Sequence, residues 1–126
     1  VVTENGVRIV GPAIIGNGCT FREGSVVGPS SVIGPNVEVG KDSRIIGSIV
    51  YENTLINDHS RIDGCIIGES CQIGFESILD EDVVIGPKCR IGDSVRIQRS
   101  TRIWPNIEIA SNSVIRGIIE PHQDSI

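Results

Sequence analysis

Large aliphatic residues return every six positions along this chain. One run takes Ile9, Ile15, Phe21, Val27, Ile33, Val39 and Ile45, and a second takes Val50, Ile56 and Ile62. A third goes from Ile67 through Ile73, Leu79, Ile85, Ile91, Ile97, Ile103 and Ile109 to Ile115. With each of these called position i, i+1 is often glycine (Gly16, Gly28, Gly34, Gly40, Gly68, Gly74, Gly86, Gly92). Position i+4 is small or β-branched: Ala13, Cys19, Ser25, Ser31, Val37, Ser43, Thr54, Ser60, Cys71, Ser77, Val83, Cys89, Val95, Thr101, Ile107, Ser113. Side chains alternate along a strand, so i+4 and the following i, two residues on, point the same way, into a core. A turn between them redirects the chain. Three hexads close one triangular coil of about 18 residues, and coils stack at strand spacing, about 4.8 Å. The pattern predicts an all-β parallel β-helix of hexad repeats, about 30 Å tall, with no helix of useful length. Repeats cover about 9–119, with a short tail over 120–126.

Two hexads are one residue short, Ile45–Ile49 and Ile62–Ile66. Dealing the i positions to three faces in turn puts Ile9, Val27, Ile45, Ile62, Leu79, Ile97 and Ile115 on one of them. Both short hexads then leave that face in consecutive coils, one above the other. Unrelated deletions would not stack, so the coincidence supports the register.

Composition fits this picture. The 126 residues are enough for one domain, 1–126. Aromatics are 3% and Met is absent, so Ile, Val and Leu must fill the interior in regular layers. A net charge of −5 argues against a nucleic-acid partner. No run of 18 apolar residues is present to span a membrane. The chain begins at Val1, which points to a processed protein or a piece of a longer one.

Candidate chemistry is sparse. Cys19, Cys71 and Cys89 fill the small inward slot i+4 and read as buried, reduced thiols. Cys65 falls at the tightened corner, and no partners at zinc-ligand spacing accompany it, so no metal site is assigned. His59 falls at i+3, in a turn, and His122 in the tail; both read as solvated. There is no Ser-His-Asp or Cys-His arrangement and no phosphate loop before a helix. On the outside, Tyr51 and Trp104 share a face at i+1, and Leu55 is placed on that face too. Ile14, Val32 and Val84 point outward on one face. Val26, Ile78 and Val114 do so on another, in series with Arg44, Arg61 and Arg96. These are either scattered surface apolars or an oligomer or interdomain contact. The arginine stripe is either a solvated face or a dock for an acidic partner, and it blunts sheet-edge aggregation.

The segments 7–16 (VRIVGPAIIG), 47–56 (GSIVYENTLI) and 62–68 (IDGCIIG) resemble the C-terminal β-helix of sugar-1-phosphate nucleotidylyltransferases. Ile103-Trp104-Pro105 is similar to the mannose-1-phosphate guanylyltransferase group. The resemblance covers nearly the whole chain and implies a left-handed helix, an exception to the usual crossover hand. It also implies an accessory, oligomerising domain, inactive alone and cytoplasmic. The N-terminal catalytic domain, with its Mg²⁺, would be absent, and no cofactor would sit in this chain. No catalytic residue carries over. The apolar rungs near Ile9 and Ile115 then become contacts with the missing domain or another subunit. Two alternatives remain: a free-standing hexapeptide acyltransferase using acetyl-CoA, with His59 as general base, or a structural β-helix subunit. The lack of any long loop breaking the repeat counts against the acyltransferase.

Overall fold

A computed structural model describes residues 1–121. His122 therefore lies outside the described residues. The chain is a parallel β-helix whose walls are three sheets of seven strands each. Face 1 starts at Val2–Thr3 and ends at Glu108–Ile109; face 2 runs from Arg8–Ile9 to Val114–Ile115; face 3 runs from Ala13–Ile15 to Ile118–Ile119. Every pairing joins one coil to the next in parallel register, for example Ile9 with Val27 and Ile85 with Ile103. The face with Ile9, Val27, Ile45, Ile62, Leu79, Ile97 and Ile115 is face 2, as the periodicity predicts. No helix occurs among the described residues.

The core is a column of i residues, with Phe21, Ile45, Ile56, Ile67, Leu79 and Ile97 fully buried. Each such side chain contributes about 1.5–3 kcal/mol by leaving water. Position i+4 is small for lack of room, but it also carries hydrogen bonds that size alone did not predict. Ser60 Oγ donates to the Gly74 carbonyl at 2.9 Å, Thr54 Oγ1 to Gly68 O at 2.9 Å and Ser77 Oγ to Gly92 O at 3.0 Å. Cys19, Cys71 and Cys89 place Sγ 3.1–3.2 Å from the equivalent carbonyls of Gly34, Gly86 and Trp104. Each donor thus satisfies the first corner carbonyl of the coil above, which explains why Ser, Thr and Cys share the slot. Thr101 Oγ1 and Ser113 Oγ instead donate to the Gln98 and Ala110 carbonyls of their own corners at 2.6 Å, and Ser25 Oγ is buried without a partner.

Corner shape is set at i+3, not at the glycine. There φ is positive at thirteen non-glycine residues, among them Asn36, Asp42, His59, Glu76 and Lys88. Such left-handed residues close a type II turn. The i+1 glycines serve close approach between coils: a Cβ on Gly68 would sit 2.5 Å from the backbone nitrogen of Pro87.

The tightened corner is where the sequence places it, between faces 2 and 3. Gly47 and Gly64 take the left-handed position there, at φ 58° and 64°. Ser48 and Cys65 follow them into the small inward slot, and Cys65 N donates to Ser48 Oγ at 3.0 Å. The same corner tightens a third time, which the six-residue count did not reveal. Ile118–Ile119 pairs with Arg102–Ile103, so only four residues carry the chain from Ile115 to Ile119, through Gly117 at φ 93°. Pairing also begins earlier than the apolar series, with Val2–Thr3 against Thr20–Phe21. Thr3 was passed over because it is polar.

Candidate functional site

The three walls share one interior and differ outside. Face 1 presents Thr20, Glu38, Leu55, Gln72, Arg90 and Glu108, a mixed polar surface. Leu55 belongs here, paired with Glu38 and Gln72, and not beside Tyr51 as the sequence count had it. The corner after Val50 intervenes, so residues four apart stand on different faces.

Face 3 presents an aliphatic column broken once, at Arg102. Ile14 pairs with Val32, Val32 with Ile49, Ile49 with Ile66, and Ile66 with Val84; beyond Arg102 the column resumes at Ile118. Exposure reaches 67% at Ile14, 40% at Ile66 and 69% at Ile118. Tyr51 and Trp104, both half-exposed, flank it at the next corner. Ile49, Ile66 and Ile118 escape a count by sixes, because each follows a shortened corner. The one charge in the column is held by its own chain: Arg102 donates to Asp82 Oδ1 at 3.1 Å and to the Asp82 carbonyl. The Ser100 hydroxyl donates to Asp82 Oδ2 at 2.8 Å. That hydroxyl and the Arg102 guanidinium hold the Asp82 carboxyl below its usual range. An aliphatic column with its charge already neutralised suits burial against another protein surface.

Face 2 presents Arg8, Val26, Arg44, Arg61, Ile78, Arg96 and Val114 in register. Arg96 forms two hydrogen bonds with Asp80, at 3.0 and 3.2 Å.

His59 lies at the corner from face 1 to face 2. It is exposed, at φ 60°, with Nδ1 3.9 Å from Asp42 Oδ2 in the coil below. The four cysteines are buried and free. Burial pushes the Cys65 thiol up to about 11. Cys71 is pushed up by its hydrogen bond with the Cys89 side chain and by burial. Cys65 and Cys71 are therefore packing groups and poor nucleophiles at neutral pH.

Residues 9–81 match the family described as GMPPB C-terminal domain. The chain belongs to that family. Residues 64–99 of this GMPPB C-terminal domain also match the bacterial transferase hexapeptide (six repeats). Its relatives include the bifunctional protein GlmU of Methanococcus maripaludis, 34% identical, with 89% of this chain and 36% of that protein covered. The bifunctional protein GlmU of Thermotoga maritima is 32% identical, with 94% and 26% covered. The chain thus spans between 26% and 36% of the length of these two relatives. Among solved structures, the acetyltransferase domain of PglB from Neisseria gonorrhoeae, in complex with acetyl coenzyme A, superposes with a TM-score of 0.82 at 20% identity, covering 88% of this chain and 54% of that one. A hexapeptide transferase family protein from Anaplasma phagocytophilum gives 0.69 at 15% identity, covering 93% and 74%. At these identities the likeness is one of fold.

Proposed function

We propose that this chain is the accessory β-helix of a sugar-1-phosphate nucleotidylyltransferase, and that it holds copies of the enzyme together through face 3. Membership of the GMPPB C-terminal domain family over residues 9–81 carries the reading. The share of its relatives that the chain spans leaves room for an N-terminal catalytic domain, where Mg²⁺ and the reacting phosphates would be bound. The parent reaction joins a sugar 1-phosphate to a nucleoside triphosphate and releases pyrophosphate. Mannose 1-phosphate with GTP is the assigned pair, in the cytoplasm, and the chain alone is inactive.

An immunoblot of source cells against this domain tests the reading. A band several-fold heavier than 13.5 kDa is expected, and that longer protein should release pyrophosphate from GTP with mannose 1-phosphate faster than with glucose 1-phosphate. A native band at 13.5 kDa overturns it. A second reading, acyl transfer from acetyl-CoA with His59 as general base, draws on the exposed imidazole beside the Asp42 carboxylate. In that case His59→Ala abolishes acetyl transfer; unchanged transfer removes His59 from the chemistry.

A further inference from the structure

The arginines divide into two groups. Arg22, Arg90, Arg96 and Arg102 each lie within 4 Å of a carboxylate in a neighbouring coil. Arg8, Arg44, Arg61, Arg99 and Arg116 have no such partner among the described residues. Four of these five line a single concave stretch where face 2 turns into face 3.

The concavity has a cause in the chain. This corner is short at Gly47, Gly64 and Gly117, and full length at Asp80–Asp82 and Gln98–Ser100. The wall recedes at the short corners and projects between them. Two adjoining hollows result, sharing Asp63 and Asp80. The larger, about 770 Å³, takes in Glu81, Gln98, Arg99 and Arg116; the smaller, about 280 Å³, takes in Arg44, Arg61 and Ile78.

Arg44 and Arg61 are register partners, so their backbones stand one strand spacing, ~4.8 Å, apart and two like-charged side chains leave the wall side by side. Such a pair is repulsive unless something neutralises it. The nearby Asp80 carboxylate is already engaged by Arg96 through both oxygens. A phosphate placed between the two guanidiniums relieves the repulsion and accepts from both. A bare anion would also meet Asp63 and Glu81, which repel it. A ligand carrying hydroxyl groups beside its phosphate turns those carboxylates, and Gln98, into acceptors. Arg99, about two and a half coils or roughly 12 Å up, and Arg116, one coil further, add positive potential at the far end.

We propose that this hollow binds a small phosphorylated polyol, its phosphate between Arg44 and Arg61 and its hydroxyls on Asp63, Glu81 and Gln98. The site lies wholly within this chain and does not depend on the reaction assigned to the parent enzyme. Calorimetric titration of this chain with mannose 1-phosphate, and separately with mannose and with inorganic phosphate, tests it. The sugar phosphate is expected to bind at least about tenfold more tightly than either half, and less tightly as salt rises. Arg61→Gln and Arg44→Gln, both exposed positions whose folding circular dichroism checks, should each weaken it about tenfold. Arg8→Gln, on the same face but outside the hollow, should leave it unchanged. The proposal is overturned if the sugar phosphate does not bind, if inorganic phosphate binds as well as the sugar phosphate does, or if Arg8→Gln weakens binding as much as Arg61→Gln.

Discussion

Faces 2 and 3 are built on the same plan and turn different outsides to the solvent. Each contributes a buried rung per coil: Ile45, Ile62 and Leu79 from face 2, and Val50, Ile67 and Ile85 from face 3. Each stacks seven parallel strands. Outside, face 2 carries four arginines among seven outward positions, while face 3 carries one, clamped to Asp82. The interior specifies the fold and is indifferent to this contrast. A β-helix therefore separates the residues that stabilise it from those that meet partners, more cleanly than an irregular domain does.

The largest break in the comparison should come from one charge on face 3. Ile66→Arg is expected to reduce the assembly to a 13.5 kDa monomer in light scattering, while Ile78→Arg on face 2 leaves its mass unchanged. Loss of assembly in both variants, or in neither, removes face 3 as the contact.

Core truncation should make the two faces equal again. Ile67→Ala and Leu79→Ala are each expected to lower unfolding free energy by about 3–4 kcal/mol in denaturant titrations, since both side chains are fully buried and the coils above and below hold the cavity open. A large inequality would mean that one wall contributes more than its share.

A smaller contrast lies within the corners. Gly68→Ala forces a Cβ to 2.5 Å from Pro87 N, backbone against backbone, and should cost about 2–3 kcal/mol. Gly64→Ala meets nothing nearer than 3.8 Å but sits at φ 64°, so about 1–2 kcal/mol of left-handed strain is expected. Melting both variants side by side tells close approach from backbone strain.

The smallest effect concerns the clamp that lets face 3 carry an arginine. Asp82 has a depressed folded pKa, so its contribution is present above the ordinary carboxylate value of 3.8 and is lost as pH falls through the lower folded value. Asp82→Asn should therefore melt slightly below the parent at pH 7, and the gap should close as pH drops below 3.8. A gap that persists in acid would show that the carboxylate charge is not what holds Arg102.

Most of the architecture was legible because a strict six-residue period fixes the three faces and which residues of each coil stack on which. The faces, the buried i and i+4 positions and the stacked short corners at Gly47 and Gly64 all follow from spacing and side-chain alternation. Spacing failed where the period changed. After a shortened corner the outward residue falls one or two places early, so Ile49, Ile66 and Ile118 went uncounted, and Ile14, Val32 and Val84 alone left scattered surface apolars and a contact face both open. Leu55 was misplaced because a corner separates it from Tyr51. His59 was correctly placed in an exposed turn.

By itself the sequence determined the repeat and the inward residues. Those are properties of near neighbours along the chain, and hydrophobic alternation encodes them directly. Only the tertiary structure decided what gathers where. Arg44 meets Arg61, Arg102 meets Asp82, and Ser60 meets the Gly74 carbonyl, across 14 to 20 residues. A change of one residue in a single corner moves every later outward side chain relative to those positions, so surface chemistry depends on coil length in a way that local pattern does not express.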